Sequence, residues 1–81
     1  MKAEKVALLK EYGKKCMLCR RKLKLNECTY HHIIPEAYGG VYTEENGAIL
    51  CEPCHHIIHL FKYEEDGYKK LTSVIIRNKG V

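Results

Sequence analysis

The sequence predicts a small α+β domain stapled by a bound metal ion, and three observations predict it. The first is size: 81 residues, 46% of them apolar, carry six Tyr, one Phe and no Trp. A chain this short buries only about 60% of its unfolded surface, so it forms one domain whose small core needs reinforcement. The second is the cysteine pattern, because Cys16, Cys19, Cys51 and Cys54 form two Cys-x-x-Cys pairs, the spacing of a closed four-thiolate zinc site. The third is a change of period, from a β-branched and aromatic run ending at Pro35 to a His-rich run with helical spacing after Cys54.

Each element follows in order. Residues 2 to 12 are good helix formers with Ala3, Val6, Ala7 and Leu9 near one stripe, and Gly13 is the expected stop. After the first Cys pair, Leu23 and Leu25 alternate with Lys22 and Lys24 as in a half-buried strand. Residues 28 to 34 (CTYHHII) suit a strand, and Pro35 closes it because it cannot donate a ladder hydrogen bond. Positions 35 to 47 carry Pro35, Gly39, Gly40, Asn46 and Gly47 and read as a loop, of a length that is usually functional. Ala48, Ile49 and Leu50 form the returning strand. From His55 helical spacing continues until Gly67 interrupts it, and 68 to 78 form a last helix with Leu71, Val74 and Ile75 inward.

No apolar run has the length of a signal-peptide core or a membrane span, so the expected location is the cytoplasm, with no membrane partner. In a reducing compartment paired cysteines favour a metal over disulfides. A redox pair is the other competing chemistry, and it lacks the βαβ setting. Cys28, the fifth thiol, reads as a small buried strand residue. The formal net charge is +4, and Lys10, Lys14, Lys15, Arg20, Arg21, Lys22 and Lys24 face only Glu11 in their segment. Such a cluster suits an anion or a plain solvated surface equally well.

The five His fall in two clusters, His31 with His32 and His55, His56 and His59. On a helix His55 and His59 project about 40° apart, close enough to share one ion. Ile57 and Phe61 project nearly opposite, toward the expected core, while Lys62 returns to within about 20° of His55. His56 is off this face. On a strand His31 and His32 point to opposite sides; one would complete a three-His site and the other would stand beside it as a neutral general base. Asn46 would tie down the loop or orient that base.

These residues resemble the HNH endonuclease family. The resemblance rests on HHIIP (31 to 35), GG (39 to 40), ENGAILC (45 to 51) and CEPCHHIIH (51 to 59), with Cys16 and Cys19 extending it to zinc-stapled members. It implies a ββα-metal finger with flanking helices: a single nuclease domain over 1–81, with an N-terminal helix at 1–15, a zinc-stapled core at 16–63 and an extension at 64–81. It implies His32 as the base that activates water, His31, His55 and His59 as ligands of one catalytic divalent metal, and Asn46 as a brace of the loop that orients the base. Cys16, Cys19, Cys51 and Cys54 would hold structural Zn2+. The family's more usual Asp before the base is replaced by His31, and many zinc-stapled members lack a His at the position of His59.

The activity implied is hydrolysis of DNA phosphodiester bonds. A three-imidazole site should bind Zn2+, Ni2+, Mn2+ or Co2+ better than Mg2+, although Mg2+ stays open as the working ion. Lys62, Arg20, Arg21 and Lys22 are the phosphate-contact candidates, and DNA is the expected partner, with larger phage or restriction machinery as a further one; the chain's shortness points to a phage or mobile element. The alternative is a non-catalytic, zinc-containing nucleic-acid-binding module on a degenerate scaffold. Against it stands the presence of His32 and both helix histidines. A zinc-ribbon module ranks below both, because it leaves the His clusters without a purpose.

Overall fold

A computed structural model describes residues 2–80 and shows a small α+β fold. In chain order it contains α1 (Ala3–Tyr12), β1 (Thr29–His32), β2 (Gly47–Leu50), α2 (Glu52–Leu60) and α3 (Glu65–Gly80), with single 3-10 turns at Leu25–Glu27 and Glu36–Tyr38. β1 and β2 pair antiparallel with Thr29 opposite Leu50, Tyr30 opposite Ile49, His31 opposite Ala48 and His32 opposite Gly47. Directly opposed residues share a face of the sheet. Tyr30, His32, Gly47 and Ile49 therefore lie on one side, and Thr29, His31, Ala48 and Leu50 on the other.

All of β2 is buried, because α1 covers one side and the opposite side faces α2. A Cβ on Gly47 would run into the Tyr30 ring and into Leu8 Cδ1; only glycine lets α1 approach β2 this closely. Leu8, Ile49, Leu50, Ile58 and Ile75 have no exposed surface and draw α1, the sheet, α2 and α3 into one core. The outer edge of β2 is occupied too, since Met17 N donates to Ile49 O at 2.8 Å. This bond ties the first Cys pair directly to the sheet.

Four expectations are corrected. In α1 the residue that reaches the core is Leu8, with Leu9 and Tyr12 packed against it; the apolar arc is broad, and contact with β2 selects its centre. Residues 22 to 25 form no strand among the described residues: Lys22 makes one isolated bridge to Lys15, and Leu25, 49% exposed, opens a 3-10 turn. In α2 the inward side chains are Cys54 and Ile58, while Ile57 is exposed. The zinc knuckle sets this rotation, because the helix begins at Glu52, right after Cys51, with Pro53 in its first turn where no N–H is needed. The helical run also breaks at residues 61–64 rather than at Gly67, which lies inside α3. Gly67 packs against Phe61, whose Cδ1 would be 2.6 Å from an added Cβ, so its role is close approach rather than termination.

α3 is tied to the rest at its C-terminal end. Lys79 Nζ donates to the carbonyls of Glu44, Glu45 and Gly47 at 3.0, 3.1 and 2.6 Å, and Asn78 Nδ2 donates to Met17 O at 2.6 Å. No helix of the described residues is long and apolar enough to cross a membrane.

Candidate functional site

Two clusters of side chains that could hold a metal ion each draw members from α2. The sulfurs of Cys16, Cys19, Cys51 and Cys54 lie within 4.8 Å of one another, and Cys19 N donates to Cys16 Sγ at 3.4 Å. Burial raises the Cys16 thiol, but backbone N–H groups near Cys19, Cys51 and Leu18 outweigh it and bring it down to about 7. Burial, and after it the neighbouring thiols, push Cys54 far above the ordinary range. Four thiolates can share this space only around a cation, so the donor set fits Zn2+. Cys28 lies apart from the cluster, with its thiol donating to Lys24 O at 3.4 Å.

The ligating atoms of His31, His55 and His59 likewise lie within 4.8 Å of one another. β1 brings His31 in on the face that meets α2, and one helical turn brings His55 and His59 in together. Their rings meet edge to face, with centroids 5.3 Å apart for His31–His55 and 4.9 Å for His55–His59. His31 is 3% exposed, and its Nδ1 is buried with no hydrogen-bond partner among the described residues. A bare buried nitrogen beside two further imidazoles could hold a divalent cation.

Thr29 orients His55. Its hydroxyl donates to Leu50 O at 2.7 Å and lies 2.9 Å from His55 Nδ1. A hydroxyl has one hydrogen, so His55 Nδ1 must be the donor in the second bond, which leaves its Nε2 lone pair free. Thr29 was not singled out from the sequence. The signal was there, since a strand residue two positions before His31 shares its face.

His32 points to the other side of the sheet, where its ring packs edge-on against Tyr30 at 5.0 Å and Tyr42 at 5.3 Å. Because β1 ends there, both histidines still open into one pocket of about 320 Å³, lined also by Glu36, His55, His59, Lys62 and Tyr68. His32 Nε2 is 3.8 Å from Glu36 Oε1. Asn46 spends its side chain on the loop: Oδ1 accepts from Ile34 N at 2.8 Å, and Nδ2 donates to Ile34 O at 3.1 Å and Val41 O at 2.9 Å. Lys62 reaches the pocket. Arg20, Arg21 and Lys22 do not line it; they follow the first Cys pair, and Arg20, in the left-handed region at φ 67°, donates to Asn78 Oδ1 at 2.9 Å.

The sequence model of the HNH endonuclease family matches residues 16–61, more than half of the chain. The chain belongs to the HNH endonuclease family. A search of curated proteins found no match. The HNH match spans both cysteine pairs, His31, His32, Asn46, His55 and His59, and it places the chain among nuclease-type domains, whose substrate is a nucleic acid. Lys62, Tyr68 and all of α3 lie beyond it.

Burial of the HNH cluster has a consequence for stability. Burial first, then the neighbouring His55, His59 and His32, hold His31 down to about 3 from an ordinary 6.5. The unfolded chain takes up a proton near pH 6.5 that the folded chain refuses until about pH 3. The contribution is therefore fully present above about 6.5 and is lost progressively as pH falls toward 3. Denaturation of zinc-loaded protein at about pH 7.5 and about pH 5.5 should show wild type losing more stability on acidification than His31→Gln. Equal losses would show that residue 31 is not the source.

Proposed function

We propose that this HNH chain is a metal-dependent endonuclease that hydrolyses DNA phosphodiester bonds, with residues 1–81 working as one nuclease domain. The observation that carries the reading is the convergence of three imidazole donors with a fourth histidine and a lysine in a single pocket. His31, His55 and His59 would hold one divalent cation, and Cys16, Cys19, Cys51 and Cys54 structural zinc. When bound, the catalytic cation supplies positive charge for the oxygens that gain negative charge during phosphoryl transfer.

The chain's own residues supply the rest. His32, unligated because it faces away from the three-His cluster, takes the proton from the attacking water. Asn46 holds the 34–41 loop against the strand end and so keeps Pro35 and Glu36 in place at the pocket wall. Lys62 offers a cation to a substrate phosphate at the pocket mouth. Arg20 is engaged with Asn78, which leaves Arg21 and Lys22 as the more available contacts for flanking DNA.

The test is cleavage of supercoiled plasmid across EDTA, Mg2+, Mn2+, Ni2+ and Zn2+, with His55→Ala beside the wild type. The wild type should relax or linearise the plasmid only with a divalent ion. His55→Ala should weaken binding of a second ion by more than the roughly 10- to 100-fold that loss of a ligand's supporting hydrogen bond costs, while it keeps its cysteine-bound zinc. Failure to cut double- or single-stranded DNA with any ion would overturn the nuclease reading in favour of a binding module. Loss of both ions together from His55→Ala would show that the two sites are not separate.

A further inference from the structure

We propose that Tyr68, on α3 and outside the family-matched segment, is a positioning residue that fixes the tautomer of His31 and thereby selects Nδ1 as its metal-binding atom. The inference rests on the reading of His31, His55 and His59 as a metal site. Tyr68 Oη lies 2.8 Å from Ile33 O, 3.3 Å from His32 O and 3.3 Å from His31 Nε2. The two carbonyls can only accept, and the phenol has one hydrogen, which goes to the 2.8 Å bond. What Oη presents to His31 is a lone pair, so a lone pair on Nε2 would oppose it and a hydrogen on Nε2 is favoured. A neutral imidazole protonated at Nε2 is bare at Nδ1. That nitrogen is the buried one without a protein partner.

The arrangement mirrors the one at His55. There Thr29, its hydrogen committed to Leu50 O, takes the Nδ1 hydrogen and leaves Nε2 bare. Each hydroxyl is committed to a backbone carbonyl at an end of the hairpin, and each sets the opposite nitrogen of its histidine. Tyr68 arrives with little freedom, because Lys79 and Asn78 fasten the far end of α3 to residues 44–47 and to Met17. The terminal helix is thereby part of the metal site rather than an appendage to it.

The experiment uses the zinc-loaded full chain and Tyr68→Phe, which keeps the ring and removes only the hydroxyl. Long-range 1H–15N NMR before addition of a second metal reads the tautomer of His31, and titration with Co2+ reads affinity at the His cluster. The wild type should show the Nε2–H form. Tyr68→Phe should lose that single tautomer and bind Co2+ roughly 10- to 100-fold more weakly, with cysteine-bound zinc retained. An Nδ1–H tautomer in the wild type, or a folded Tyr68→Phe with unchanged tautomer and affinity, would overturn the proposal. Should the variant misfold, the wild-type tautomer still decides. A wild type that binds no second ion would instead overturn the metal-site reading and the ligand role of Nδ1 with it, whereas Co2+ bound normally beside an Nδ1–H His31 would overturn the Tyr68 proposal alone.

Discussion

His32→Ala is expected to abolish plasmid cleavage while it leaves the fold and both metal contents intact. Loss of a general base costs about 10²- to 10⁴-fold, enough to take a plasmid assay below detection. Structure should survive because His32 lies at the end of β1, opposite Gly47, on the sheet face away from the three clustered histidines. Its ring touches Tyr30 and Tyr42, which stack on each other at 4.1 Å and need no third partner to stay in place. The checks are cleavage with each metal, metal content and Tm. Equal cutting by variant and wild type would mean that another group takes the proton, and Glu36, 3.8 Å away, would be the next residue to replace.

The second large effect is expected from Cys51→Ala, which should release the structural zinc and unfold the domain. Cys51 is 2% exposed and joins β2 to α2, and its sulfur is 4.0 Å from that of Cys19. Zinc bound by the four cysteines would thus link the 16–19 turn to the sheet and to the helix that carries His55 and His59. In small zinc domains the binding free energy, roughly 10–16 kcal/mol, is folding free energy, and the few side chains in this core cannot replace it. Metal analysis should find no cysteine-bound zinc, and circular dichroism no cooperative melt. Cys28→Ala is the control: its thiol lies outside the cluster, so zinc should remain. Retention of zinc and a normal melt in Cys51→Ala would refute the staple.

Where the chain's organisation was legible, short-range rules carried it. Gly13 ends α1 as its position announced, with its N–H donating to Leu9 O at 2.9 Å. The two strands were visible from β-branched composition and turn residues, although β1 stops at His32 rather than running to Pro35 and the returning strand starts at Gly47, one residue before the Ala48–Leu50 run. The Cys and His clusters that could hold metal ions were visible as well, because x-x and x-x-x spacings survive translation into helix and turn geometry. Failures came where a choice depended on a distant surface. Nothing in HLFKYEED marks the break between α2 and α3, which carries neither Pro nor Gly at residues 61–64; packing of Gly67 onto Phe61 decides it.

The sequence by itself determined the inventory: two cysteine pairs, two histidine clusters, alternation that separates His31 from His32, and the small α+β frame that holds them. Local spacing encodes these, since each depends on the fixed period of a strand, a helix or a turn. Only the tertiary structure decided which face of α2 turns inward, that Arg20 is held by Asn78, and that Thr29 and Tyr68 stand against the imidazoles. The contacts made by α3 join residues far apart in the chain, 58 positions for Arg20 and Asn78 and 37 for His31 and Tyr68, and they are chosen by how α3 closes over a small core, which no local pattern records.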